Sequence, residues 1–252
     1  MANLPLRIRN PKYGWIPDLP DKRDYLYKVI APSVAPLPSS IDLRPKCGPV
    51  ENQGELGACT AFALTGNLEF LKNKDSFSEL FLYYNERLIR GTVGTDSGAS
   101  IRDGIKTLTK LGDCLENFWP YVIEKFTLKP DEKAYVDALD YQILNYYRLN
   151  SLSEMKHTIN SGFPFVFGFS VYESFESEEV TETGIVPLPS IDEHLLGGHA
   201  VMAVGFNEDK KHFIVRNSWG GGWGDNGYFY MPYEYLENSK LSSDLWTIRG
   251  VE

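Results

Sequence analysis

Apolar residues recur at three- to four-residue spacing along much of the first half of the chain. Ala61, Leu64, Leu68 and Leu71 follow Cys59 at that interval, which predicts an amphipathic helix over 59–71 with the cysteine in its first turn. The same spacing predicts a second helix over 78–89. A third runs over 101–111, carrying Ile105, Leu108 and Leu111 and stopping at Gly112. Beyond about Asp140 the texture changes to short runs rich in aromatic and β-branched residues at 163–171, 199–206, 212–215 and 227–231, with a short helix at about 153–160 ahead of them. Helices first and strands afterwards predict an α+β protein: a mainly helical lobe over about 38–139, a twisted, barrel-like antiparallel lobe over about 140–252, and a cleft between the two.

Residues 1–45 break this pattern, since they hold Pro5, Pro11, Pro17, Pro20, Pro32, Pro36, Pro38 and Pro45 and cannot form regular helix. The segment also carries Trp15, Ile16, Leu19, Tyr25 and Tyr27. Side chains of that size predict an arm, residues 1–37, that docks on the body (38–252). Two placements are open: along the cleft, where the arm regulates access, or on the back of the sheet as structural cover.

With 252 residues, 42% apolar and 23% charged, the chain is long enough to bury a full core in one two-lobed unit, read as a monomer. A net charge of −9 without any basic run argues against nucleic-acid or anionic-membrane partners. No apolar run has the length of a spanning helix and no Sec-type signal is seen, so the expected location is the cytoplasm, or outside it by another export route. Cys47, Cys59 and Cys114 are the only cysteines, and no CxxC or HxxxH spacing exists, so neither a metal nor another cofactor is expected. One reactive thiol would then remain beside two reduced cysteines or a Cys47–Cys114 staple.

Cys59 is the reactive candidate. A thiol attacks as the thiolate and needs an imidazole, a group to orient it and donors for the developing oxyanion. A position in the first turn of a helix, where free N–H groups and the helix dipole point, favours the thiolate. Polar Gln53 and the Gly54 and Gly57 kinks upstream set Cys59 apart from a buried structural cysteine. His199 and Asn217 can be tied together by hairpin geometry. Asn207–Lys211 is a strongly polar gap between two apolar runs, and a hairpin centred on Glu208 sets His199 and Asn217 on neighbouring strands. An amide accepting from one ring nitrogen would fix the imidazole's tautomer and leave the other nitrogen for the thiol. His194, in a loop-like stretch, is the competing base, and His157 and His212 read as solvated surface.

Asn52-Gln53-Gly54, Gly57-Ala58-Cys59 and Asn217-Ser218-Trp219-Gly220, continued by Trp223 to Phe229, occur in the order found in papain-type cysteine peptidases, which the chain resembles from about Leu37 onward. His199 follows Cys59 by 140 residues and Asn217 by 158, close to the roughly 130 to 150 residues of that pattern. The resemblance implies a papain-like two-lobe fold and a cysteine endopeptidase acting on protein or peptide substrates through a thioester acyl-enzyme. Cys59 would be the nucleophile, His199 the base, Asn217 its orienting group and Gln53 an oxyanion donor. It also implies that Trp219 shields the His–Asn hydrogen bond, and that Ser97, Gly98 and Ala99, with Gly198, line the substrate strand. Departures are Ala99 for a usual Gly, Thr60 for an aromatic, Leu56 for a bridging Cys and Gly198 where many relatives have Asp. None removes a catalytic atom. They point to the bacterial branch, whose short arms resemble residues 1–37. Acyl transfer to an amine, or a binding protein with an inert site, are the alternatives on the same residues.

Overall fold

The computed structural model describes residues 13–27, 36–73 and 75–252, so residues 1–12 and 28–35 of the predicted arm lie outside the described part. A short strand, β1 (Ser40–Asp42), precedes four helices: α1 (Cys59–Leu71), α2 (Glu79–Arg90), α3 (Ile101–Lys110) and α4 (Glu132–Ala138). Then come β2 (Ile143–Arg148), α5 (Leu152–Asn160), β3 (Phe165–Tyr172), α6 (Glu178–Thr183), β4 (Leu195–Asn207), β5 (His212–Arg216), β6 (Tyr228–Pro232), α7 (Tyr233–Glu237) and β7 (Ser242–Val251).

Local chemistry sets most helix ends. The Ser78 hydroxyl accepts from Phe81 N and caps α2, which ends at Gly91 in the left-handed region at φ 70°. Ser100 caps α3, Asp131 caps α4 and Ser151 caps α5 in the same way. Helix α1 differs: Ala58 at its start supplies no side-chain cap, and every residue from Cys59 to Phe70 is buried. The predicted amphipathic stripe is therefore overridden, because α1 packs on α2 and α3 as well as on β4, β3 and β7. Cys59, Leu64 and Leu68 are fully enclosed and share one core with Phe165, Phe167, Val204 and Phe213 of the sheet.

The sheet runs β2-β7-β3-β4-β5-β6, antiparallel throughout, with β1 added on β4. This is the α+β architecture the sequence predicts, with one correction: β2 and β6 do not pair with each other, β2 meeting the arm at Leu26 and β6 meeting Ile185, so the sheet is open and does not close into a barrel. Strands β2 and β7 were not anticipated, although β7 sits between β2 and β3. The staple is absent as well. Cys47 and Cys114 are free thiols in separate packing clusters. No helix among the described residues is long and apolar enough to cross a membrane.

Candidate active site

Cys59 is the first residue of α1, as its spacing predicts, and is fully buried. Burial pushes its thiol up to about 11, and the nearby Glu86 carboxyl adds to the rise. Backbone N–H groups of Ala200, Gly14 and Thr60 at the sulfur oppose it. The expected thiolate stabilisation is present, but desolvation outweighs it in this covered state. Gly14 belongs to the arm, so the arm places a backbone N–H at the sulfur.

His199 lies on β4, fully buried, and is linked to the Asn217 Oδ1 through Nε2 at 2.8 Å. Its Nδ1 makes no hydrogen bond among the described residues. Burial lowers the imidazole to about 4, with the Asn217 bond opposing that shift. Thiol and imidazole are thus both neutral here. The route to the His–Asn contact differs from the symmetric hairpin predicted. Asn207 pairs with His212 and Phe206 with Phe213, so the turn centres between Asp209 and Lys210 and not on Glu208; a bulge between Ala203 and Gly205 takes back one residue and sets Met202 opposite Arg216. Continued, that register brings His199 level with Trp219, and the two rings stack at 4.9 Å with 27° between planes. Asn217 reaches the imidazole diagonally. His194, the competing candidate, is exposed and bonded to Glu173 at 3.2 Å, whereas the histidine that meets Asn217 is His199. His212 is half-buried and stacked on Tyr230 at 4.7 Å, not a simple surface residue.

Gln53 is fully buried. Its Nε2 donates to Leu56 O at 2.8 Å, and its Oε1 accepts from the Ser218 hydroxyl at 2.6 Å. Backbone bonds join the same two segments, Gln53 N to Ser218 O at 2.9 Å and Gly220 N to Glu51 O at 3.0 Å. Ser218, which sequence reasoning assigned no role, fixes which way the Gln53 amide faces. Its place in the Asn217-Ser218-Trp219 run was the available signal. The second brace missed is Asp96, which accepts from Gly57 N at 3.0 Å and from the Tyr83 hydroxyl at 2.5 Å.

Residues Ser97, Gly98, Ala99 and Gly198 come together around the arm. Ala99 N donates to Gly14 O at 2.9 Å, Ile16 N donates to Ala99 O at 2.9 Å, and Trp15 N donates to Gly198 O at 3.0 Å. Gly98 adopts φ 69°, which favours glycine, and Ser97 Oγ lies 2.7 Å from Thr92 Oγ1. The Tyr13 ring meets His199 edge-on at 6.1 Å, and its hydroxyl bonds to Glu176. Further along, Asp24 pairs with Arg102 at 2.6 Å and Arg148 at 3.0 Å, and Arg148 pairs with Asp244 at 2.7 Å. Trp15 is buried, but Leu19 (82% exposed) and Tyr25 (63%) are not anchors of the kind predicted. No group of three or more His, Cys, Asp or Glu among the described residues is arranged to hold a metal ion.

Residues 37–247 match the family described as papain family cysteine protease. The chain is similar to the crystal structure of xylellain, a cysteine protease from Xylella fastidiosa, with TM-score 0.90 and 42% identity over 97% of this chain and 98% of that one. It is 42% identical to an uncharacterized peptidase C1-like protein of Acanthamoeba polyphaga mimivirus, covering 95% of this chain and 87% of that protein. It is also 30% identical to pro-cathepsin H of Mus musculus over 77% of this chain and 60% of that one. With this match over most of its length, the chain belongs to the papain family of cysteine proteases and is a cysteine-type peptidase.

Proposed function

We propose that this peptidase is an endopeptidase that works through Cys59, His199, Asn217 and Gln53, and that its own arm holds it latent. In the working form His199 takes the Cys59 proton through Nδ1 while Nε2–H stays on Asn217. The thiolate attacks the scissile carbonyl, and the Gln53 amide and the Cys59 N–H receive the oxyanion. His199 then protonates the leaving amine, and water activated by the same ring hydrolyses the thioester.

The observation that carries this reading is the 2.8 Å His199–Asn217 bond, with the second ring nitrogen unbonded and both groups buried. The arm's part rests on Gly14 at the sulfur, on the Trp15 bond to Gly198 and on the Gly14 and Ile16 bonds to Ala99. A peptide bringing a carbonyl carbon to Cys59 needs the space that Gly14 occupies.

The test combines turnover of a mixed peptide library with mapping of an epoxide or iodoacetamide probe by mass spectrometry. Cleavage and selective labelling of Cys59 are expected, with both lost in Cys59→Ala. Cleavage that survives Cys59→Ala would refute the mechanism. A release assay with an added amine separates hydrolysis from acyl transfer.

A further inference from the structure

Gly168, in the buried middle of β3, and half-buried Gly198, near the start of β4, have no backbone reason to be glycine. Gly168 on β3 pairs with Ala200 and Ser243, and Gly198 on β4 pairs with Ser170; neither has positive φ. Glycine inside a strand marks a place where something else approaches closely. Here it is one indole. A Cβ on Gly168 would fall 1.9 Å from Trp15 Cε2, and one on Gly198 would fall 2.7 Å from Trp15 Cε3. The two strands thus leave a slot next to His199 into which the Trp15 ring fits.

The far end of that slot is polar. Asp244 on β7, 1% exposed, accepts through Oδ2 from Trp15 Nε1 at 3.2 Å and from Asp18 N at 2.7 Å. Its Oδ1 accepts from Arg148 at 2.7 Å. Both recorded donors to Oδ2 belong to the arm. When the arm leaves, that buried oxygen loses them, and whatever enters the slot must supply an N–H or leave it unsatisfied. The neighbouring charges decide which donor suits. Asp18 and Asp24 depart with the arm, leaving the Arg102 and Arg148 guanidiniums against the single Asp244 carboxylate. A cationic side chain meets net positive charge there, whereas a neutral aromatic N–H does not.

We infer that Asp244 is a specificity-determining residue, and that the slot between Gly168 and Gly198 selects a tryptophan of the peptide substrate by its indole N–H, over phenylalanine and over arginine or lysine. This rests on the reading that the arm occupies the substrate's place.

The test uses the full-length chain carrying Gly14→Ala, whose added Cβ would lie 1.8 Å from Gly57 O and so lifts the arm. It is assayed on peptides that differ only in Trp, Phe or Arg at each position flanking the scissile bond. At one position Trp is expected to exceed Phe in kcat/KM by about tenfold, the effect of one hydrogen bond to a charged acceptor. Adding Asp244→Asn keeps a residue type that tolerates φ 57°. The amide carbonyl must then serve Arg148, so an NH2 faces the slot and the Trp-to-Phe ratio should fall to about one. Gly168→Ala should move preference to small side chains. No Trp preference at any position, or a ratio unchanged by Asp244→Asn, overturns the assignment. If Gly14→Ala cuts no faster than wild type, the reading of the arm fails, and the Trp-to-Phe ratio of either protein still decides the role of Asp244. If neither cuts, titration of the same Trp and Phe peptides by fluorescence anisotropy decides it, with equal affinities counting against it.

Discussion

The arm is held at two places by different chemistry. At Gly14–Trp15 the grip is backbone hydrogen bonding to Gly198 and Ala99 with an indole in a slot, next to the neutral Cys59 thiol and His199 imidazole. At Asp18–Asp24 it is a clasp of three carboxylates and two guanidiniums, away from the sulfur. The first grip overlaps the proposed reaction site; the second meets it only at Asp244, which accepts from Trp15 Nε1 as well as from Arg148. Changes in the clasp should therefore alter how long the arm stays without altering what Cys59 can do, and changes at the site should do the reverse.

The largest effects are expected at the site. Cys59→Ala and His199→Ala should each lower peptide turnover by several orders of magnitude, measured with a fluorogenic peptide, whereas Asn217→Ala leaves a measurable remainder because it orients the base without reacting. Gln53→Ala should cost about tenfold to a thousandfold in kcat, the usual consequence of removing one oxyanion donor. None of these should speed arm release. An unchanged rate in Gln53→Ala would take that residue out of the site.

A smaller effect of the opposite kind is expected in the clasp. Arg102→Ala leaves Asp24 and Asp18 with one guanidinium between them. These side chains are largely but not wholly buried, which puts the loss at about 2 kcal/mol, between the ~3–5 of a fully buried pair and the ~0–1 of a surface pair. Alkylation of Cys59 should quicken by roughly thirtyfold, and added salt should quicken it in the wild type as well. If Arg102→Ala alkylates at the wild-type rate, the clasp does not hold the arm.

The two grips also titrate in opposite senses. Burial, with the Asp244 carboxylate adding to it, raises Asp18 to about 6, so docking takes up a proton there. That contribution is complete below the ordinary carboxylate value of about 4 and is lost as pH rises through 6. Burial lowers His199 to about 4, and exposure would return it toward about 6.5; docking gives up a proton there and weakens as pH falls from 6.5 to 4. The shifts nearly offset. Wild-type protection of the arm from limited proteolysis should therefore vary little between about pH 4 and 6.5, while Asp18→Asn should lose protection on acidification. Equal pH dependence in both would show that Asp18 does not titrate with docking.

The smallest effect concerns the remaining thiols. Three titratable thiols are expected in the denatured, unreduced protein, with Tm unmoved by reductant, because Cys47 and Cys114 are unbridged. Two fewer thiols would mean that the staple forms after all.

What the sequence made legible was local. The apolar spacing announces α2 and α3, Gly112 announces the end of α3, and Cys59 ahead of Ala61 and Leu64 announces the start of α1. The polar gap after Asn207 located the turn but not the bulge at Ala203–Gly205, which no alternation pattern records and which seats Trp219 over His199. β7 was missed because its first residues, Ser242, Ser243 and Asp244, look like a loop; Ser242 and Asp244 are buried, the strand pairing with β3 and Asp244 bonding to the arm. The clasp was illegible for the same reason. Asp18, Asp24, Arg102, Arg148 and Asp244 are spread over the whole chain and acquire meaning only when the fold brings them within reach of one another.

The central claim is that Cys59 is a competent nucleophile covered by its own arm. It is tested most directly by the second-order rate of Cys59 alkylation by iodoacetamide, followed by mass spectrometry, in wild type and in full-length Gly14→Ala. At least a tenfold faster reaction at Cys59 in Gly14→Ala, with Cys47 and Cys114 unreactive in both proteins, is the predicted result. Equal rates at Cys59, or labelling spread over the three thiols, would contradict it.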